Sequence, residues 1–128
     1  MTARILVADD DDALRQRIEL ILTADGHDVQ TAPHGQAALD VYVPGRFDLL
    51  CLDLAMPLVD GIEVTQAVRS RTDGIPILMI TGSGSPRRLA AAREAGVDEL
   101  LNKPFRTSDL RARVSALLSG AADRPAPD

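Results

Sequence analysis

Residues 47–61 run FDLLCLDLAMPLVDG. Leu49, Leu50, Cys51 and Leu52 are apolar at successive positions, not alternate ones, and Asp53 closes the run. A strand with that pattern has both faces buried, as in a parallel sheet covered by helices on each side. Two further runs behave alike, ILVA at residues 5–8 and IPILMI at residues 75–80. Five strands are therefore expected, at residues 4–8, 27–32, 47–52, 75–80 and 97–101.

The segments between them carry a helical period. Leu14, Ile18, Ile21 and Leu22 recur at i, i+4, i+7 and i+8 as one apolar stripe, and Gly26 follows where a left-handed C-terminal cap belongs. A second helix is expected over residues 35–43, stopped by Pro44-Gly45, and a third over residues 61–71 with Val64, Ala67 and Val68 turned inward. The fourth opens at Ser85-Pro86, an N-cap followed by proline at the first helical position, and ends at Gly96. Leu89 is its only large apolar residue, so Ala90, Ala91, Ala92 and Ala95 must supply the rest of its buried face. Alanine brings helix propensity but little burial energy, which predicts a lightly anchored helix able to shift. The last helix repeats the first stripe with Leu110, Val114, Leu117 and Leu118. From about Gly120 the chain reads GAADRPAPD, without apolar period, which predicts a linker or frayed tail. Strands alternating with helices give a single α/β domain over residues 1–119 with a tail over 120–128.

The 128 residues suit one domain, which buries roughly two-thirds of the surface its unfolded chain exposes. With no Trp, one Tyr and two Phe, the core must be aliphatic. A net charge of -5 argues against nucleic-acid binding by this domain, since that normally needs a basic patch. Cys51 is the single cysteine, so no internal disulfide is possible, and a thiol in an apolar run suits a reducing compartment. No apolar stretch approaches the roughly 20 residues of a membrane helix, and the first residues lack a secretory leader's long apolar region. A cytoplasmic domain with no membrane partner is the resulting expectation.

Ligand sites in open parallel sheets lie at the carboxyl ends of the strands. There the first strand runs into Asp9-Asp10-Asp11-Asp12, the third ends at Asp53, the fourth at Thr81, and the fifth runs into Asn102-Lys103-Pro104. Carboxylates this close repel one another and are costly to bury unpaired. A hard divalent cation resolves that conflict, Mg²⁺ above all, because it takes oxygen ligands and keeps phosphate oxygens in its shell. A carboxylate can act as nucleophile and become an acyl phosphate. A threonine hydroxyl and a lysine ammonium would then bind the phosphoryl oxygens. The set is complete for phosphoryl transfer to aspartate.

The stretches ILVADDDDALR, FDLLCLDLAMPLVDGIEV, PILMITGSGS and GVDELLNKPF, in that order, resemble the signature segments of bacterial response-regulator receiver domains over about residues 4–118. The resemblance implies a flavodoxin-like (βα)5 fold, a five-stranded parallel sheet in the order 2-1-3-4-5 flanked by five helices. It implies Asp53 as phosphoacceptor, and Asp10, Asp53 and the backbone carbonyl of Ala55 as ligands of Mg²⁺, with Asp9 holding it directly or through water and Mn²⁺ a possible substitute. Thr81 would hydrogen-bond the phosphoryl group and report it by moving. Lys103 would pair with the phosphoryl oxygens, and the Lys103-Pro104 bond would be cis. Met56-Pro57 and Asp60-Gly61 would shape the loop after the acceptor. The implied partners are a sensor histidine kinase or phosphotransfer protein and a downstream effector. The effector would be bound on the face made by the fourth helix, fifth strand and fifth helix, by a monomer or a dimer formed on phosphorylation. Such a domain is a switch and not an enzyme, with at most slow self-phosphorylation from small donors and slow self-dephosphorylation.

Three positions depart from the family pattern. Leu100 stands where an aromatic switch residue is usual, so the ring half of the Thr/aromatic coupling is missing. Gly82 follows Thr81 where alanine is common, which predicts a mobile loop at residues 82–85. Ala55 has no side chain to orient an attacking water, which predicts a long-lived phosphoaspartate. Ala55 also stands where phosphatases of the haloacid-dehalogenase type carry a second aspartate, which argues against turnover. Four aspartates in the first loop would repel the phosphate of a flavin mononucleotide. Helix capping is the competing use of the acidic run, and Asp11 or Asp12 suffices for it. Cys51 is expected to be buried and unreactive, His27 and His34 structural or surface residues, and Arg87, Arg88 and Arg93 a solvated face.

Overall fold

The computed structural model describes residues 2–71, 74–82 and 84–122. The elements alternate strictly: β1 (Arg4–Ala8), α1 (Asp12–Ala24), β2 (Asp28–Ala32), α2 (Gly35–Val41), β3 (Leu49–Asp53), α3 (Gly61–Arg71), β4 (Ile77–Thr81), α4 (Pro86–Ala95), β5 (Glu99–Asn102) and α5 (Thr107–Ala122). All pairings are parallel, in the order β2-β1-β3-β4-β5.

Alternation of side chains along the strands divides the interior into two aliphatic layers. Leu6, Leu50, Leu52, Ile77 and Met79 face one way and pack with Ala38, Val64, Val68 and Ala92 of α2, α3 and α4. Ile5, Val7, Leu49, Cys51, Leu78 and Ile80 face the other and pack with Ile18, Leu22, Leu110, Val114 and Leu118 of α1 and α5. β3 and β4 are buried along their whole length, as their unbroken apolar runs require. Edge strand β2 is only half covered.

The caps follow local chemistry. Asp11 is the N-cap of α1 and accepts from the backbone N–H of Leu14. Ser85 caps α4, and Gly96 closes it in the left-handed region. His34 caps α2 through Nδ1, which accepts from Ala37 N–H at 3.1 Å, and His27 Nδ1 accepts from Ala3 N–H.

Several boundaries differ from the sequence expectation. α2 stops at Val41 because Tyr42 turns extended and stacks its buried ring on Phe47, with centroids 6.3 Å apart. β3, β4 and β5 start two residues later than expected and each gains one at its carboxyl end, because the pairs Asp53↔Ile80 and Thr81↔Asn102 extend the ladder. α5 continues through Gly120 to Ala122, past the expected end at residue 119. The tail beyond, residues 123–128, lies outside the described residues, as does Ser83 of the loop expected to be mobile.

α4 is anchored less by apolar contact than expected, and more by charge. Ala92 is its one fully buried residue, Leu89, Ala91 and Ala95 are half-buried, and Ala90 faces solvent. Polar ties to α3 hold it at both ends. Arg88 pairs with Asp60 at 2.9 Å, and Arg69 donates to the carbonyl of Gly96 and to Asp98. Arg87, Arg88 and Arg93 are all exposed, as expected, but Arg88 also pairs with Asp60.

In the loop after β3, Leu58 sits at φ 69° and is 95% exposed. The left-handed region costs a non-glycine residue about 1–2 kcal/mol, and an exposed side chain recovers none of it by burial. Leu58→Asn, which tolerates this region better, is expected to raise stability by about 0.5–1 kcal/mol. An unchanged or lower urea midpoint would contradict that.

Candidate functional site

The strand order reverses between β1 and β3, and there the acidic groups collect. The register Ala8↔Leu52 sets Asp9, the residue after β1, beside Asp53, the last residue of β3. Asp9 is 1% exposed and Asp53 6%, whereas Asp10 lies open to solvent. One carboxylate oxygen from each of Asp9, Asp10 and Asp53 falls within 4.8 Å of the others. Lys103, after β5, reaches across β4 to place Nζ 3.2 Å from Asp9 Oδ2 and 3.3 Å from Asp53 Oδ1. The Lys103-Pro104 peptide is cis.

Thr81 is buried at the end of β4, and its backbone carbonyl accepts from the N–H of Lys103 at 2.8 Å. The threonine and the lysine are therefore fixed to each other through the main chain. Gly82 lies under the lysine stem: a Cβ there would meet Lys103 Cβ and Cδ at 3.6 Å, ordinary contact, so alanine would fit as well. Gly61 is different. A Cβ on it would lie 2.4 Å from the carbonyl oxygen of Asp53, so α3 can start against the end of β3 only with glycine. Asp60 caps α3 reciprocally with Glu63, each side chain accepting the other's backbone N–H. Ala55 is exposed, two residues beyond Asp53. Leu100 is half-buried against the layer of α2, α3 and α4.

Burial, and then the neighbouring Asp9 carboxylate, push the Asp53 carboxyl up to about 6, against the pull of the Lys103 ammonium. Desolvation works against the charge on Lys103, but Asp53 and Asp9 outweigh it and hold the ammonium above its ordinary value. Three carboxylates against one ammonium leave two negative charges, which one divalent cation would balance. All the donors are hard oxygens and Asp10 keeps the cluster open, a donor set that suits Mg²⁺ or Mn²⁺. Because Asp11 caps α1, neither Asp9 nor Asp10 is needed for that purpose. Burial pushes the Cys51 thiol up to about 12, so it stays protonated and inert. A groove of about 580 Å³ between the end of α1 and α5, lined by Asp25, His27, Arg111 and Ser115 among others, contains none of the cluster residues.

The sequence picked out Asp9, Asp10, Asp53, Thr81 and Lys103, and these do converge at one edge. It missed Arg15, whose guanidinium donates to the backbone carbonyl of Asp9 at 2.8 Å and pairs with Asp12. The i, i+3 spacing of Asp12 and Arg15 was the one available signal, and it points only to the ion pair.

A family model described as the response regulator receiver domain matches residues 5–115. The chain is 41% identical over 128 residues to the response regulator MprA of Mycobacterium sp. (strain KMS), covering all of this chain and 56% of that protein. It is 43% identical over 118 residues to MprA of Mycobacterium bovis (strain BCG / Pasteur 1173P2), covering 92% of this chain and 51% of that one. It thus spans about half the length of these relatives. Among solved structures, chemotaxis protein CheY4 of Vibrio cholerae superposes with a TM-score of 0.85 at 33% identity, covering 91% of this chain and 99% of that one. A CheY-like receiver domain from Methanospirillum hungatei gives 0.91 at 26% identity, covering 96% and 98%. Among the described residues no helix is long and apolar enough to cross a membrane. With its sheet order, its strand-end carboxylates and a family match over most of its length, the chain belongs to the response-regulator receiver domains of two-component systems.

Proposed function

We propose that this domain accepts a phosphoryl group on Asp53 from the phosphohistidine of a sensor histidine kinase or phosphotransfer protein in the cytoplasm, in a Mg²⁺-dependent reaction. A carboxylate oxygen of Asp53 attacks phosphorus as the P–N bond breaks, and the departing imidazole keeps the bonding electron pair. The observation that carries this reading is a buried nucleophile at a strand end, within 4.8 Å of two further carboxylates and 3.3 Å from an ammonium. Asp9, Asp10, Asp53 and the Ala55 carbonyl would hold the metal, which supplies charge neutralisation and polarises the phosphoryl oxygens. Lys103 would move its ammonium from the free carboxylate to the phosphoryl oxygens, and Thr81 would donate its hydroxyl from the next strand. A shift of Thr81 and its loop would be passed to α4, whose apolar anchoring is thin, and so to the α4-β5-α5 face that binds the effector.

Acetyl phosphate with intact-mass detection tests this. The wild type is expected to gain one phosphoryl group only when Mg²⁺ is present, and Asp53→Asn to gain none. A phosphoryl group that still appears on Asp53→Asn overturns the phosphoacceptor reading; a wild type that stays unmodified in excess Mg²⁺ is either degenerate or waiting for its kinase, and is then tested as a phosphorylation-independent interaction module.

A further inference from the structure

We propose that Arg15 is a positioning residue for the acidic metal ligands, acting through the peptide that joins Asp9 to Asp10; the inference rests on the metal-binding reading above. Asp9 is fixed on every side. Its N–H donates to Ala32 at 3.2 Å, its Oδ1 accepts from Asp11 N–H at 2.9 Å, and its Oδ2 accepts from Lys103. Its backbone carbonyl accepts from Arg15 Nη1 at 2.8 Å. That carbonyl belongs to the Asp9–Asp10 peptide, so one hydrogen bond sets the plane from which both side chains leave. Asp10 is exposed and packs against little, so the peptide plane is the main restraint on where its carboxylate points.

The second arm of the guanidinium pairs with Asp12 Oδ1 at 2.6 Å. The Arg15 side chain is 15% exposed, the Asp12 side chain 79%. The planar fork of arginine serves both partners at once, which the single ammonium of lysine cannot do with the same geometry. Asp12 pairs with the cation and so lessens its repulsion of an incoming metal.

Two explanations of Arg15 predict opposite signs. As a mere nearby positive charge, it would repel a divalent cation, and its removal would tighten metal binding. As the group that orients the peptide, its removal would weaken binding, as loss of a partner behind the metal ligands commonly does by about tenfold or more. The test is titration of the whole chain with Mn²⁺ alone, read by electron paramagnetic resonance of the free ion. Wild type, Arg15→Gln and Arg15→Lys are compared, with unfolding midpoints in EDTA alongside. Expected are a loss of affinity of about tenfold for Arg15→Gln, a smaller loss for Arg15→Lys, and cooperative unfolding for both. Equal or tighter Mn²⁺ binding by Arg15→Gln overturns the inference, whatever happens to its midpoint, and points to a charge or purely structural role. If Arg15→Gln fails to fold, wild-type affinity in Arg15→Lys overturns it instead. A wild type that binds no Mn²⁺ overturns the metal reading itself, and the inference with it.

Discussion

Gly61→Ala is expected to destabilise the domain by about 1–3 kcal/mol, the range of overpacked sites. The added Cβ would fall 2.4 Å from the Asp53 carbonyl oxygen and 2.8 Å from Met79 Cε. The methyl of Met79 can rotate away, but the carbonyl cannot. It belongs to the last residue of β3, which is paired with Ile80 of β4 and buried on both faces. Gly61 N–H also donates to the Leu54 carbonyl at 2.9 Å, so α3 cannot slide outward without breaking that bond. Relief must come from tilting the start of α3, which opens the layer holding Val64 and Val68 and displaces the acceptor itself. Gly82→Ala is the control, because its Cβ meets only the lysine stem at 3.6 Å. It should change stability by less than about 0.5 kcal/mol. Urea unfolding of the two variants decides the matter: equal midpoints would mean that α3 does not need its close approach to β3.

The contrast between these two glycines marks what the sequence could and could not show. Gly82 directly follows β4 and Gly61 opens α3, and the letters alone do not say which of them meets a backbone overhead. The difference lies in which backbone happens to cross overhead, a property of how α3 and the β5 loop are set on the sheet. Strand-end chemistry was legible for the opposite reason. Once three unbroken apolar runs fix a parallel sheet, Asp9, Asp53 and Thr81 are brought to one edge by topology, whatever the side-chain detail. Long polar side chains escaped because their partners lie on other elements. Arg88 reaches Asp60, Arg69 reaches Gly96, and Arg15 folds back onto a main-chain carbonyl. Ala90 was assigned to the buried face of α4 because its neighbours are alanines too, and alanine carries too little polarity to say which way a helix is turned. Leu58 in the left-handed region contradicts its own propensity, so no sequence rule could have found it.

Asp53→Asn should make the metal-free protein more stable at pH 7.5, by on the order of 1–2 kcal/mol, while abolishing phosphorylation. Burial and the Asp9 carboxylate raise the folded-state carboxyl from 3.8 to about 6. Between those two values the folded state holds more protons than the unfolded state. The slope of unfolding free energy with pH is then negative, so wild-type stability due to this group falls as pH rises from about 4 to about 6. Above that window the full penalty remains: a buried carboxylate facing Asp9, only partly offset by a shared Lys103. An amide removes the charge and keeps the shape, and Lys103 retains Asp9 as its partner at 3.2 Å. The advantage of Asp53→Asn should therefore be largest at neutral pH and shrink to nothing only well below 3.8, where Asp53 is protonated in both states. Asp9 and Lys103 lose a charged neighbour in the variant, so the difference between the stability curves reports Asp53 together with its coupling to them. Mg²⁺ should reverse the order, because a ligand that binds only the folded state adds stability and the wild type offers one more carboxylate to hold it. Curves that run parallel from pH 4 to pH 7.5 without metal would show that Asp53 is not held at a cost in the free domain. The strand-end carboxylates would then have to be read as solvated groups, not as a charge imbalance waiting for a cation.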